Sequence, residues 1–134
     1  MKGEFAKGME SLGEIFAFLG EFARGGGLDE EAELTLDLVA EELFTNAVKY
    51  GAGGDGKVRL TVEKIGDALW LELVDFDAEP FDPASVEPPP LGPTIGERRA
   101  GGLGLRLVRS LMDEVVYEYR DGELRVRVTK HLGS

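Results

Sequence analysis

The sequence predicts an α+β fold: a two-layer α/β sandwich with a mixed, largely antiparallel sheet and its helices on one face. Three observations carry this. Apolar residues recur at three- and four-residue spacings through most of the first fifty positions. Apolar and polar residues alternate in later runs, and Gly66-Asp67 and Asp121-Gly122 sit where two-residue hairpin turns belong. At 134 residues with 43% hydrophobic content, the chain suffices for one domain, residues 1–134, with its own core.

Each element follows in order. Within residues 8–24, Met9, Leu12, Ile15, Phe16, Leu19 and Phe22 form a helical stripe that Gly25-Gly26-Gly27 should stop. Asp29 is the expected N-cap of a second helix, with Glu30 and Glu31 in its first turn, running to Tyr50 before a glycine-rich stretch. Val58, Leu60, Val62 and Ile65, then Leu69, Leu71 and Val74, predict a hairpin of two strands. Past Phe81-Asp82-Pro83 the run ASVEPPPLGPTIGERRAGG is too rich in Pro and Gly for regular structure, and a long loop in a compact domain is usually functional or disordered. LGLRLVRSLMDEV returns to helical spacing, and VVYEYRDGELRVRVTKHL predicts a final hairpin turning at Asp121-Gly122.

Composition removes several function classes. There is no cysteine, and the single histidine, His131, lies next to the C-terminus, so zinc sites and serine-histidine chemistry are poor fits. A formal charge of −11 without a basic stripe opposes direct nucleic-acid binding. No run approaches the roughly 18 apolar residues of a membrane span, and MKGEFAKGMES lacks a signal peptide's apolar stretch. A cytoplasmic protein with no membrane contact is expected.

Three stretches carry candidate chemistry. In VAEELFTNAVKYG, spacings of four and three place Glu42, Asn46 and Lys49 on one narrow strip of a helix whose remaining surface is largely apolar. Such a strip borders a core, where a carboxylate and an amide need partners such as a metal and its ligand, although a solvated edge would give the same pattern. Gly101, Gly102 and Gly104 open a predicted helix, which suits phosphate oxygens at the positive helix end but also suits a flexible cap. Asp75 ends an apolar strand, either as a cap or as a buried acceptor for an exocyclic amine.

The joint order of these stretches resembles the histidine-kinase-like (GHKL) ATPase fold, more narrowly the anti-sigma-factor serine/threonine kinases of the RsbW and SpoIIAB type. The resemblance spans roughly residues 8–132 and rests on EELFTNAVKYG, FDP and GGLGLRLVRSLMDEVVYEY. It implies that Asn46 holds Mg²⁺ between the phosphates of ATP, that Glu42 is the general base, and that Lys49 reaches a phosphate. It further implies that Asp75 accepts the adenine amine, that Gly101, Gly102, Leu103, Gly104 and Leu105 cradle phosphates, and that about residues 84–100 form a lid with Arg98 and Arg99 as phosphate contacts. The implied partners are a STAS-type anti-anti-sigma protein and a sigma factor, with room for a homodimer. Two departures accompany it. Asp77 stands where the family usually has a glycine, leaving a non-catalytic, partner-binding module with a degenerate ATP pocket as the alternative. Residues 9–20 also lack the basic residue that sigma-binding relatives tend to carry on the first helix.

Overall fold

Alternation in the apolar runs builds the sheet. β2 (Lys57–Ile65) and β3 (Ala68–Asp75) pair antiparallel across Gly66-Asp67, with Gly66 at φ 58°, a conformation that glycine adopts without a steric cost. β4 (Glu114–Arg120) and β5 (Glu123–His131) pair across Asp121 and Gly122, at φ 53° and 85°, the two positive angles of a type I′ turn. These features come from a computed structural model, which describes residues 1–50, 56–76 and 107–132, and of Lys49 and Tyr50 the backbone alone.

A strand that the sequence analysis lacks, β1 (Lys2–Ala6), joins β2 and gives the order β1-β2-β3-β5-β4. Every described pair is antiparallel, in line with the largely antiparallel sheet expected. The alternation of β1 is hidden because one of its inward positions is Gly3. A Cβ there would stand 3.0 Å from the rings of Phe5 and Phe18. Phe5, the next inward residue, meets Phe18 edge-on, with centroids 5.5 Å apart.

Leu69, Leu71, Leu73 and Asp75 of β3 share the helix-facing side with Val58, Leu60 and Val62 of β2 and with Leu124, Val126 and Val128 of β5. Leu73, not Val74, therefore continues the inward set. Val74 is nonetheless fully buried on the opposite face, and Ile65 is exposed. Long side chains cover that opposite face. Arg127 donates from Nε and Nη2 to Glu72 Oε2 at 3.2 and 3.0 Å, with its guanidinium 4.6 Å from the Trp70 ring centroid.

The helical layer begins with a 3₁₀ turn, Met9–Ser11, followed by α1 (Leu12–Gly26). Met9 is 47% exposed and drops out of the apolar stripe, while Ile15, Leu19 and Ala23 are buried. The glycine triplet does not stop the helix at its first member. Helix geometry continues through Gly25 and Gly26, and the left-handed residue is Gly27, at φ 68°. Its N–H donates to the Arg24 carbonyl at 3.4 Å and the Leu28 N–H donates to Ala23 at 3.0 Å, the Schellman pattern.

α2 (Glu30–Tyr50) starts as expected, with Asp29 Oδ1 accepting from the Ala32 N–H at 2.8 Å and three acidic residues in the first turn, where the helix dipole favours them. A third helix is described over residues 107–111 and ends sooner than its sequence pattern suggests, because β4 begins at Glu114. Val108 and Met112 enter the core, and Lys130 Nζ donates to the Leu111 carbonyl at 3.3 Å. Among the described residues no helix is long and apolar enough to cross a membrane.

One group in the helical layer works against folding. Asp37 of α2 has a buried Oδ1 without a hydrogen-bond partner among the described residues, and burial together with the negative charge of Glu33 raises its pKa above the ordinary 3.8. A raised carboxyl pKa means that the folded state binds the proton more tightly than the unfolded one, so this residue's contribution falls as pH rises through the folded pKa. Asp37→Asn should therefore melt at a higher temperature than the wild type at pH 7, with the gap closing as pH falls towards 3.8. Paired thermal melts across that range check it; a gap that is independent of pH would assign the effect to packing.

Candidate functional site

Burial of one face of α2 decides where its polar strip points. Leu36, Val39, Ala40, Leu43, Phe44 and Ala47 are all buried, which fixes the rotation of the helix about its axis. Glu42 and Asn46, one turn apart, are then half-buried at the margin of that face. Glu41 is exposed, in keeping with its place on another side of the helix. The side chain of Lys49 lies outside the described residues.

Asp75, the third candidate, lies on the sheet that α2 covers. Tyr50 ends α2 and Lys57 begins β2, with six intervening residues, 51 to 56. That connection limits the separation between the C-terminal end of α2 and the start of β2 to roughly 25 Å at full extension. Val58 is paired across the sheet with Asp75, and Asn46 stands one turn before Tyr50 on α2. Asp75 lies on the helix-facing side of its strand, the side against which α2 packs.

Asp75 is 1% exposed and is held by a residue that sequence reasoning missed. Its Oδ1 lies 2.8 Å from Nζ of Lys7, whose side chain is 0% exposed. Lys7 directly follows β1, and its N–H donates to the Gly56 carbonyl at 3.0 Å, continuing the β1–β2 ladder by one residue. Gly3, Phe5 and Lys7 form the inward series of that ladder. The Ser11 hydroxyl donates to the Ala6 carbonyl at 2.8 Å and fixes the following turn. No local signal marks Lys7, because Phe5 is the one large apolar residue of KGEFAK and Gly3 hides the alternation. Breaking a buried pair by removing one partner is strongly destabilising in general, on the order of 3–5 kcal/mol where no other group compensates the remaining charge.

The donor set fits a nucleotide with its metal. Mg²⁺ usually takes one or two protein oxygens and fills its remaining positions with phosphate and water, so a single amide oxygen at Asn46 suffices. Among the described residues no cluster of three or more metal-ligating side chains exists, so an all-protein cage is not built there. A carboxylate has about four lone-pair sites, and Asp75 can accept from an amine while Lys7 holds Oδ1. Arg98, Arg99, Gly101, Gly102, Leu103, Gly104, Leu105, the 84–100 segment and Asp77 lie outside the described residues.

The comparisons with known proteins agree with this architecture. Residues 5–130 match the family model of the histidine kinase-like ATPase domain. Serine/threonine-protein kinase BtrW of Bordetella bronchiseptica is 32% identical over 99 residues, 72% of this chain and 69% of that protein. Serine-protein kinase RsbW of Listeria monocytogenes is 33% identical over 130 residues, 92% of this chain and 80% of that protein. In fold, the RsbU and RsbW domains of Rv1364c from Mycobacterium tuberculosis align at a TM-score of 0.70 and 15% identity, over 98% of this chain and 31% of that longer one. The catalytic domain of histidine kinase ThkA aligns at 0.57 and 17% identity, over 98% and 97%. Helices on one face of a five-stranded antiparallel sheet are thus the histidine kinase-like ATPase fold, and the chain belongs to that ATPase family, among the serine/threonine-protein kinases represented by RsbW and BtrW.

Proposed function

We propose that this kinase is an ATP- and Mg²⁺-dependent anti-sigma regulatory factor of a partner-switching module, and that it phosphorylates a serine or threonine of a STAS-type anti-anti-sigma protein. A sigma factor is the second partner in this reading. The observation that carries it is the placement of Glu42 and Asn46 on one half-buried strip of α2, at the interface whose sheet side ends in the buried Asp75. The RsbW and BtrW relatives support it.

The chemistry follows from those positions. Phosphoryl transfer needs an oriented nucleophile and compensation of the charge on the transferring group, with little covalent work by the protein. Glu42 takes the proton as the partner's hydroxyl oxygen bonds to the γ-phosphorus and the bond to the ADP oxygen breaks. Half-burial suits that role, since the group is accessible to a partner's side chain and still shielded from bulk water on one side. Asn46 supplies a neutral, hard oxygen to the metal, which offsets charge on the phosphates. Asp75, facing the helices from the end of β3, accepts the exocyclic amine of adenine.

Incubation with γ-labelled ATP, Mg²⁺ and a STAS-domain protein encoded in the same genome tests the reading, with mass spectrometry locating the phosphate. Label on a serine or threonine is expected. A calorimetric titration that detects no Mg²⁺-ATP binding would instead favour the partner-binding module in which Asp77 has closed the pocket.

Two substitutions separate binding from chemistry. Asn46→Ala should abolish the Mg²⁺-dependent part of ATP affinity, whereas Asn46→Asp keeps the fold and alters the dependence on metal; titrations with and without Mg²⁺ measure both. Glu42→Gln preserves shape and removes the base. Its nucleotide affinity should stay close to the wild type, while phosphotransfer drops on the order of a hundredfold or more, the scale of general base catalysis. Equal phosphotransfer by the mutant in single-turnover assays would assign the proton to another group.

A further inference from the structure

The buried pair of Lys7 and Asp75 has no obvious value as a stabiliser. A buried ion pair is often no better than two well-packed apolar residues of similar volume. Lysine is also among the residues least often fully buried, yet Lys7 occupies the inward position after Gly3 and Phe5 with a side chain that is 0% exposed. An apolar side chain would continue the core there. The ammonium instead meets the one carboxylate at the helix-facing end of β3, at 2.8 Å.

We propose that Lys7 is a positioning residue for nucleotide-base recognition: it holds Asp75 Oδ1 so that the carboxylate plane is fixed for the exocyclic amine of a purine. This rests on the reading of Asp75 as the amine acceptor. The terminal torsion of an aspartate is broad and weakly preferred, so a buried ammonium 2.8 Å from Oδ1 narrows the directions in which the carboxylate presents its lone pairs. A hydrogen bond to a ligand amine is directional and weakens steeply when misaligned. The backbone of Lys7 is itself pinned, by the bond from its N–H to Gly56 and by the Ser11 hydroxyl on the Ala6 carbonyl, so the anchor does not drift. The ammonium also cancels the carboxylate charge, which leaves the amine to be recognised by direction and not by net attraction.

The test compares Mg²⁺-ATP with the triphosphate of purine riboside, the same base without its amine, by calorimetry on folded protein. Wild type should prefer ATP on the order of tenfold to a hundredfold, the scale of a hydrogen bond to a charged group. In Lys7→Met that preference should collapse towards unity, with the affinity for the purine riboside triphosphate held within about twofold, a split that general destabilisation does not produce. Lys7→Gln, which keeps a donor of similar length and loses the charge, carries the same measurement if the methionine variant does not fold. A folded variant that retains the full preference overturns the proposal. So does failure of both variants to fold, which would assign the pair to folding alone. If the wild type itself shows no preference, the reading of Asp75 as acceptor fails first, and the two failures are told apart by which protein shows them.

Discussion

Packing of α2 against the sheet is the interaction on which the other features depend. Burying each large apolar side chain contributes about 1.5–3 kcal/mol, and Leu36, Val39, Leu43 and Phe44 are all removed from water. Half-burying a polar group at the edge of such a face costs about 1–3 kcal/mol where no hydrogen bond compensates, and less where one does. The apolar term wins, so the helix cannot rotate to return Glu42 and Asn46 fully to solvent. Half-burial of those two residues is a consequence of where Phe44 and Leu43 must go.

The same constraint reaches the N-terminal strand. Phe5 packs on Phe18 of α1, and Gly3 leaves room for that ring, so β1 is tied both to the sheet and to the helical layer. With β1 fixed, the next inward position is Lys7, and its ammonium is delivered to Asp75. Two residues 68 positions apart in sequence thereby share one buried contact. The strand adds an edge to the sheet and also positions a charge at the end of the layer interface.

Charge sets a further condition. A chain with a formal charge of −11 has to concentrate its cations locally if it is to hold an anionic nucleotide. On the solvent side of the sheet two cations have other partners: Arg127 meets Glu72 and Trp70, and Arg59 lies over the Phe76 ring at 5.1 Å. At the layer interface, Lys7 compensates Asp75 directly. This division explains how an acidic protein carries a buried carboxylate at the end of the layer interface without leaving it unopposed.

The sequence by itself determined the elements whose signals are local. The N-cap at Asp29, the two hairpin turns and the alternation of Val58, Leu60 and Val62 all depend on residues within one element or one turn. The alignment of Glu42 with Asn46 was equally legible, because helical periodicity alone places them on one strip. Tertiary structure decided the rest. β1 was invisible because Gly3 erases one of its inward side chains and Phe18, from another element, fills the space. Leu73 displaced Val74 from the inward set because the register with Leu60 and Val126, not the local run of apolar residues, selects the face. The extent of the glycine-rich end of α1 was settled by which carbonyls Gly27 and Leu28 could reach. Lys7 became a partner of Asp75 only through strand pairing and burial, which bring together charges that no sequence spacing relates.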